Sequence, residues 1–387
     1  MISKRKVRFL IENRITWLLG LSCRTQKAIL FESFGGKQYS DNPRAISEKM
    51  HELYPEYELY WSLAEKKDTY QMIPDYVKIV PNKGVERLKT MARVFAFVTN
   101  EANETNLYKR PEQFVIQTWH GDRVPKKVIY DAWEGQKRPI PVIDGKVTDL
   151  CIAASDIGES VYHTAFRYNG PIFREGMPRN DKLICSNPIE QLEIKKKLQI
   201  SNDEKILLFA PTFRDNATGK QNVVVDLKSV LKKLSVNGEK WRCMIRAHSA
   251  SAGLEFGGEG DLYLDVSQYP DMADLLSISD MLITDYSSCA GDFILRHKPV
   301  ILAMFDYEEY VKNCRSFNFI PEEAGFIIAM NQRELELILD TYSDKDYSEN
   351  CESIIRHFNI TESGNSAAQI CEIINIEYTN RILKKKV

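Results

Sequence analysis

The sequence predicts an α/β protein built from two doubly wound domains, each with a mostly parallel sheet, and a cleft between them. Strand-like apolar runs alternate with helical stretches along the 387 residues, which is the pattern of repeated β-α units. The alternation forms two series, and a charged helix separates them. Two separated series indicate two sheets, each in its own domain.

The first series begins after residue 27. The helix predicted within it is RAISEKMHEL (44–53). The predicted strands are AILFE (28–32), ELYWSL (58–63), RVFAFVT (93–99), FVIQTW (114–119) and DLCIAAS (149–155).

The second series follows the charged helix PIEQLEIKKKLQI (188–200). Its strands are KILLFAP (205–211), WRCMIRAH (241–248), DMLITDYSS (280–288) and PVILAMF (299–305). We therefore predict an N-terminal domain over residues 28–190, a C-terminal domain over 191–345, and C-terminal helices over 346–387.

The composition is that of a soluble globular protein, with 43% hydrophobic and 27% charged residues. The eight cysteines form no CxxC pair, which disfavours a zinc or thioredoxin-type site and fits a reducing cytoplasm. Neither a Walker loop nor a GxGxxG fingerprint is present. We expect neither a metal nor a cofactor to be required.

Residues 1–27 differ from the rest of the chain in charge. They carry seven basic residues and one acidic residue, a net charge of +6, whereas the whole chain has a net charge of −2. Their apolar run TWLLGLSC (16–23) is too short to span a bilayer, which needs about 20 residues. The segment is either a contact with an anionic membrane surface or a first helix that packs on the protein itself.

The segment ITDYSSCAGD (283–292) ends a predicted strand at Thr284 and Asp285. Ligands of an open α/β sheet bind beyond the carboxyl ends of its strands. A helix beginning near Ser287 would present the hydroxyl and N–H groups of Ser287 and Ser288 to an anion such as a diphosphate. The same residues suit an ordinary helix cap, so the motif alone leaves both readings open.

Two further strand ends carry basic residues. In FAPTFRD (209–215), Thr212 and Arg214 follow a strand, and Arg suits phosphate oxygens; a surface Arg–Asp pair is the alternative. In IRAHS (245–249), Arg246 and His248 share one side of an extended strand. They can donate to one phosphate there, or His248 can be structural.

Two motifs belong to the first series. QTWHGD (117–122) places His120 beside Gly121 at a strand end, where glycine permits close approach of a ligand and imidazole suits proton transfer. A satisfied strand-end histidine is the alternative. GMPRND (176–181) has the composition of a loop, which either lines the cleft or forms a hinge.

In this order, the motifs resemble those of the CDP-glycerol glycerophosphotransferases of teichoic acid synthesis. The resemblance extends over about residues 28–370 and includes ILFESFGGKQYSDNPRAI (29–46) and ITDYSSCAGDFILRHKPVIL (283–302) besides the other motifs above. It implies a GT-B fold, in which two Rossmann-like domains face a central cleft. It also implies the donor CDP-glycerol and a lipid-linked saccharide or polyol-phosphate acceptor.

The resemblance further implies a peripheral location on the cytoplasmic face of the cell membrane, against its anionic surface, and no nucleic acid partner. In the implied reaction an acceptor hydroxyl attacks the glycerol-bearing phosphorus and CMP leaves. His120 is then the general base, and His248 stabilises charge on the diphosphate. Asp285 is expected to orient its loop, because a carboxylate repels a diphosphate. The implied substrate-binding residues are Trp119, Gly121, Arg179, Asn180, Asp181, Thr212, Arg214, Arg246, Asp285, Ser287, Ser288, Asp292 and Arg315.

Departures from the family pattern lie in CRSFNF (314–319) and EEAGF (322–326), so the transferred group stays open between glycerol phosphate and ribitol phosphate. The short chain resembles a primase or a capsule-type transferase more than a long polymerase. A GT-B nucleotide-sugar glycosyltransferase is the alternative from another class, disfavoured by QTWHGD together with PRND. An inactive membrane-associated binding protein is disfavoured by the presence of both His120 and His248.

Overall fold

The computed structural model describes residues 4–64, 73–103, 108–133, 142–212, 225–246, 262–313 and 316–384. The chain forms two compact units. The first contains Met1–Asp122, Val128–Asp181 and Thr361–Val387, and the second contains Arg123–Lys127 and Lys182–Ile360. The C-terminal segment therefore returns to the first unit after the second is complete.

The first unit contains a seven-stranded sheet, in which every pairing is parallel. Its spatial order is β3-β2-β1-β4-β5-β6-β7. The strands are β1 Gln26–Glu32, β2 Glu58–Leu63, β3 Val77–Pro81, β4 Val94–Thr99, β5 Phe114–Gln117, β6 Leu150–Ile152 and β7 Ile172–Phe173.

The second unit contains a six-stranded parallel sheet in the order β10-β9-β8-β11-β12-β13. The strands are β8 Glu204–Ala210, β9 Lys240–Ile245, β10 Tyr263–Asp265, β11 Met281–Thr284, β12 Val300–Ala303 and β13 Ile327–Ala329. Both sheets thus have the strand order of a doubly wound Rossmann fold, in which the order reverses at one point of the sheet. The predicted fold class, an α/β protein with two doubly wound domains, is confirmed.

The helices of the described residues lie before, between and after the strands. In chain order they are α1 Lys4–Ser22, α2 Asp41–Leu53, α3 Val85–Arg93, α4 Asp144–Val147, α5 Asp156–Thr164, α6 Asp181–Ile184, α7 Pro188–Lys197, α8 Leu227–Leu234, α9 Met272–Ile278, α10 Cys289–Phe293, α11 Tyr307–Asn313, α12 Gln332–Thr341, α13 Asp344–His357 and α14 Ser366–Tyr378.

The strands of each sheet consist largely of buried apolar residues. Residues 28–31 of β1 are all fully buried, as are Leu207 and Leu208 of β8. Continuous apolar runs of this kind are typical of parallel strands covered on both faces. In the first unit, α14 adds Ile370 and Ile374 to the core cluster that also contains Ile46 of α2.

Helix α1 turns a row of large apolar side chains toward solvent. Leu10, Leu18 and Leu21 are 55%, 58% and 69% exposed, and Val7, Ile11 and Trp17 are also exposed. The row follows the spacing of three and four residues that defines one face of a helix. Among the residues that the structure describes, none of the helices combines the length and the apolar character needed to cross a bilayer.

Candidate active site

His120 lies at the carboxyl edge of the first sheet. It follows β5, Asn100 follows β4, and Phe34 follows β1. These three strands are neighbours in the sheet, in the order β1-β4-β5, and the order of the sheet reverses at β1. Residues just beyond the ends of parallel strands meet at one edge, so the topology gathers these loops around His120.

A main-chain carbonyl fixes the His120 ring. The Nδ1 atom of His120 lies 2.7 Å from the carbonyl oxygen of Asn100. A carbonyl oxygen only accepts hydrogen bonds, so Nδ1 carries the hydrogen. In the neutral ring the lone pair is then on Nε2, which is the nitrogen able to take a proton.

The residue before His120 has an unusual backbone. Trp119 has φ of 51°, in the left-handed region that side chains other than glycine rarely adopt. Its N–H donates to Oε1 of Gln117 at 2.8 Å, and its carbonyl accepts from Nδ2 of Asn42 at 3.1 Å. These bonds hold the strained turn that directs His120 away from the strand.

Aromatic rings contact His120 from two loops. The Trp119 ring centroid lies 4.0 Å from that of His120, and the Phe34 centroid lies 5.2 Å away. The Phe34 N–H donates to Oδ1 of Asn100 at 2.8 Å, so Asn100 holds the ring of His120 and the backbone of Phe34 together. The Nδ2 of Asn100 and the Nε1 of Trp119 are buried and have no hydrogen-bond partner among the described residues.

Arg179 of the PRND loop lies against the start of α2. Its N–H donates to Oδ1 of Asn42 at 3.0 Å, and its guanidinium donates to Oδ1 of Asp41 at 3.2 Å. The side chain of Arg179 is buried. Asn42 thus binds both the loop that carries His120 and the loop that carries Arg179.

The next two residues of that loop bind the C-terminal segment. Nδ2 of Asn180 donates to Glu362 at 2.8 Å. The carboxylate of Asp181 accepts from the N–H groups of Ser366 and Ala367 at 2.9 and 2.8 Å, which caps the start of α14. The implied role of Asn180 and Asp181 in substrate binding stays a prediction, and so does that of the buried Gly121.

The buried carboxylate of Asp144 is hydrogen-bonded to Gln117, the first residue of the QTWHGD segment. Asp144 is fully buried and accepts from Nε2 of Gln117 at 2.9 Å and from the amide of Asn103 at 2.8 Å. Burial raises the pKa of Asp144 to about 6, although these donors act in the opposite direction. The Gln117 amide therefore joins Asp144 to the N–H of Trp119.

In the second unit, Asp285 ties two strand ends together. Its carboxylate accepts from the N–H of Thr212 at 2.9 Å and from the Thr212 hydroxyl at 2.7 Å. Thr212 follows β8 and Asp285 follows β11, and these strands are adjacent at the reversal point of the second sheet. Asp285 is thus bonded to neighbouring loop residues, and the expectation that it orients its loop stays a prediction.

The serines after Asp285 precede a short helix. Ser288 is the residue before α10, and the Ser287 hydroxyl accepts from the N–H of Cys289 at 3.3 Å. Asp292 of α10 accepts from Nη2 of Arg123 at 2.9 Å, and both side chains are almost completely buried. A Cβ on Gly291 would lie 2.7 Å from the Cβ of Arg123, so this contact requires glycine.

Arg246 directly follows β9 in the same unit. Its N–H donates to the carbonyl of Phe209 at 2.9 Å, and its guanidinium donates to the carbonyl of Pro270 at 3.4 Å. Arg214, His248 and Arg315, which the sequence implicates, lie outside the described residues. Within the described part of the chain, no group of three His, Cys, Asp or Glu side chains could hold a metal ion.

Three residues of the first site, Phe34, Asn42 and Asn100, were not among those predicted. Phe34 and Asn42 lie in ILFESFGGKQYSDNPRAI, where the resemblance was noted but no role was given to a residue. Asn100 directly follows a predicted strand end, which is the signal that could have found it. The contact of Asn42 with Trp119 joins residues 77 positions apart, and no local pattern indicates it.

Comparison with known proteins gives a consistent result. Residues 15–375 match the family model described as CDP-glycerol:poly(glycerophosphate) glycerophosphotransferase. The chain is 32% identical to the teichoic acid poly(glycerol phosphate) polymerase of Bacillus spizizenii, over 92% of this chain and 93% of that one. It is 30% identical to the teichoic acid glycerol-phosphate transferase of Staphylococcus aureus, over 96% and 99% of the two chains. The chain spans just under half of the length of two further curated polymerases.

The fold is also similar to that of a solved protein. A structure of the wall teichoic acid polymerase TagF superimposes with a TM-score of 0.83 and 26% sequence identity, covering 98% of this chain and 100% of that one.

Proposed function

Because this chain belongs to the CDP-glycerol:poly(glycerophosphate) glycerophosphotransferase family, we propose that it transfers glycerol phosphate from CDP-glycerol to a hydroxyl of a teichoic acid acceptor and releases CMP. The observation that carries this proposal within the structure is His120, whose Nδ1 is bound to the Asn100 carbonyl. That bond leaves the lone pair of the neutral ring on Nε2, where it can accept a proton. The acceptor that we propose is a lipid-linked saccharide or polyol phosphate.

The chemistry is one displacement at phosphorus. The acceptor oxygen forms a bond to the glycerol-bearing phosphorus, the bond from that phosphorus to the bridging oxygen breaks, and CMP leaves. The acceptor proton passes to Nε2 of His120, which acts as general base. Such transfers depend mainly on positioning and charge stabilisation, which fits a histidine held by a main-chain bond and two aromatic contacts.

The donor is proposed to bind through the second unit. Thr212, Arg246, Ser287 and Ser288 lie at or just beyond the carboxyl ends of β8, β9 and β11, where ligands of doubly wound sheets bind. We propose that they hold the diphosphate together with His248, Arg214 and Arg315. Asp292 contributes to this site indirectly, because its buried ion pair with Arg123 holds α10 in place.

The experiment that tests the activity is CMP release by the purified chain. CDP-glycerol and CDP-ribitol are compared as donors, each with lipid-linked acceptors that carry no, one or several glycerol phosphate units. We expect release with CDP-glycerol and an acceptor. CMP release that occurs only with CDP-ribitol would show that the donor is CDP-ribitol and not CDP-glycerol. No CMP release with any combination of donor and acceptor would contradict the proposed function.

His120→Ala tests the proposed base. We expect it to abolish most turnover, because the loss of a general base costs about 10²–10⁴-fold, while CDP-glycerol binding stays nearly intact. His248→Ala is expected to lower turnover and to weaken CDP-glycerol binding. The measurements are CMP release and calorimetric titration with CDP-glycerol.

His163→Ala is the matched control for this variant. His163 also lies in the first unit, and its Nδ1 is likewise 2.8 Å from a main-chain carbonyl, that of Tyr168. The control should keep full turnover. A His120→Ala enzyme that turns over as fast as the His163→Ala enzyme would refute the role of His120.

We also propose that α1 contacts an anionic membrane surface. Its outward apolar row and the net charge of +6 in residues 1–27 are the two features that bind helices to the interface of an anionic bilayer. A position at the cytoplasmic face of the membrane would place the enzyme beside a lipid-linked acceptor.

Vesicle sedimentation tests this contact without truncating the chain. The triple variant Leu10→Ser, Leu18→Ser, Leu21→Ser should sediment much less with vesicles that contain anionic lipid. The control replaces three exposed apolar residues of the second unit, Ile189, Val236 and Leu337, with Ser and should sediment like the wild type. Equal sedimentation of all three proteins would rule out the α1 contact.

A further inference from the structure

We propose that Asn42 is a positioning residue, which acts through its side-chain amide to hold His120 and Arg179 in one arrangement. The inference rests on the proposed function, because it describes how the proposed base is placed. Asn42 lies in the first turn of α2, and its side chain is completely buried.

The first half of the argument is the bond to the His120 loop. Nδ2 of Asn42 donates to the carbonyl of Trp119 at 3.1 Å. Trp119 has a left-handed φ of 51°, a conformation that is unfavourable for a residue with a side chain and persists only when surrounding contacts fix it. The peptide that Asn42 binds is the one that leads into His120, so this bond sets the direction of the ring.

The second half is the bond to the Arg179 loop. Oδ1 of Asn42 accepts the N–H of Arg179 at 3.0 Å. The preceding residue, Asp41, accepts from the Arg179 guanidinium at 3.2 Å and from the N–H of Asn42 at 2.6 Å. The main chain and the side chain of Arg179 are therefore both fixed by the start of α2.

Only an amide of this length satisfies both loops. Aspartate would accept from Arg179 but lacks the N–H for Trp119, and alanine lacks both groups. A buried polar group left without its hydrogen-bond partner is unfavourable, so the two loops would rearrange or separate. A displacement of about 1 Å in a catalytic group can cost roughly 100-fold in rate.

The test measures turnover and the His120 ring independently. Asn42→Ala should lower kcat for CMP release about 100-fold, with the Kd for CDP-glycerol unchanged. In spectra of protein labelled with ¹⁵N-histidine, the Nδ1–H signal that His120→Ala removes should be lost or broadened in Asn42→Ala. Asn375→Ala is the control, because that asparagine lies on another element, α14, where its Oδ1 accepts from the Tyr57 hydroxyl at 3.1 Å; it should keep both kcat and the signal.

Asn42→Asp covers the case in which Asn42→Ala does not fold. It keeps the volume and the acceptor for Arg179 but removes the donor to Trp119, and the same losses are expected. An unchanged Nδ1–H signal in the folded variant overturns the proposal, whether or not kcat falls. If the wild type releases no CMP, the proposed function fails, while the histidine spectra still decide whether Asn42 positions the ring.

Discussion

His120 and His163 show why a hydrogen bond alone does not identify a catalytic histidine. Both rings are bound through Nδ1 to a main-chain carbonyl. His163 lies on a helix with its side chain 44% exposed and 3.9 Å from Glu159, whereas His120 follows a strained residue at a strand end and is contacted by two aromatic rings. What distinguishes His120 is the strained residue before it and the packing of two aromatic rings against its own ring.

Asp144 makes a pH-dependent contribution that can be measured. Its pKa is raised by burial to about 6, from an ordinary value of 3.8. Between about pH 4 and pH 6 the folded state therefore binds more protons than the unfolded state, so the free energy of unfolding from this residue falls as pH rises. The loss is complete above the folded pKa and amounts to roughly 3 kcal/mol.

Asp144→Asn should remove this dependence. We expect urea unfolding at pH 4.5, 5.5 and 7 to show a smaller decrease with pH in the variant than in the wild type. Asp156→Asn, at a side chain that is 64% exposed, is the control for an Asp→Asn replacement at the surface. Identical pH dependence of wild type and Asp144→Asn would show that the Asp144 carboxyl titrates normally.

At the scale of elements, strong apolar periodicity made prediction reliable. The predicted strand at 58–63 coincides with β2 Glu58–Leu63, and the predicted helix at 44–53 lies within α2 Asp41–Leu53. The strands β3, β7, β10 and β13 were not predicted. Three of these, β7, β10 and β13, have only two or three residues, and so short a run shows little alternation. The helix expected near Ser287 begins two residues later, at Cys289, within the usual uncertainty of helix ends.

Helix α14 depends on a cap that comes from far away in the sequence. The Asp181 carboxylate accepts from the N–H groups of Ser366 and Ala367, which are among the N–H groups that a helix leaves unsatisfied at its start. We expect Asp181→Ala to lower the free energy of unfolding by about 1–2 kcal/mol. Thermal unfolding measures the loss.

Asn331→Ala is the comparison for this cap. Asn331 caps α12 in the second unit by accepting from the N–H of Glu334 at 3.0 Å, and its loss should be of similar size. If Asp181→Ala is as stable as the wild type but has a higher KM for the acceptor, Asp181 is a substrate ligand and not mainly a cap.

At the scale of the whole molecule, the sequence indicated two series of strands but not the path of the chain between them. Residues 123–127 leave the first unit for the second, and residues 361–387 return to the first. The predicted C-terminal helices therefore divide, with α13 in the second unit and α14 in the first. Such returns depend on contacts like that between Thr361 and Ala154, 207 positions apart, and local patterns carry no information about them.

The return of the C-terminus makes the first unit dependent on the last residues of the chain. Ile370 and Ile374 are completely buried in its core, and burying each stabilises by roughly 2 kcal/mol. With the cap at Asp181, the loss approaches the net stability of a typical domain, about 5–15 kcal/mol. We expect deletion of residues 361–387 to unfold the first unit and abolish CMP release.

Calorimetry can distinguish this from general destabilisation. The deleted protein should lose the unfolding transition of the first unit and keep that of the second, whose core cluster, within the described residues, extends no further along the chain than Tyr347. A milder pair of variants compares two faces of α14. Ile374→Ser should lower the Tm by several degrees, whereas Ile376→Ser, at a position 48% exposed, should leave it nearly unchanged. If the protein without residues 361–387 retained both unfolding transitions, the core of the first unit would not require Ile370 and Ile374 of α14.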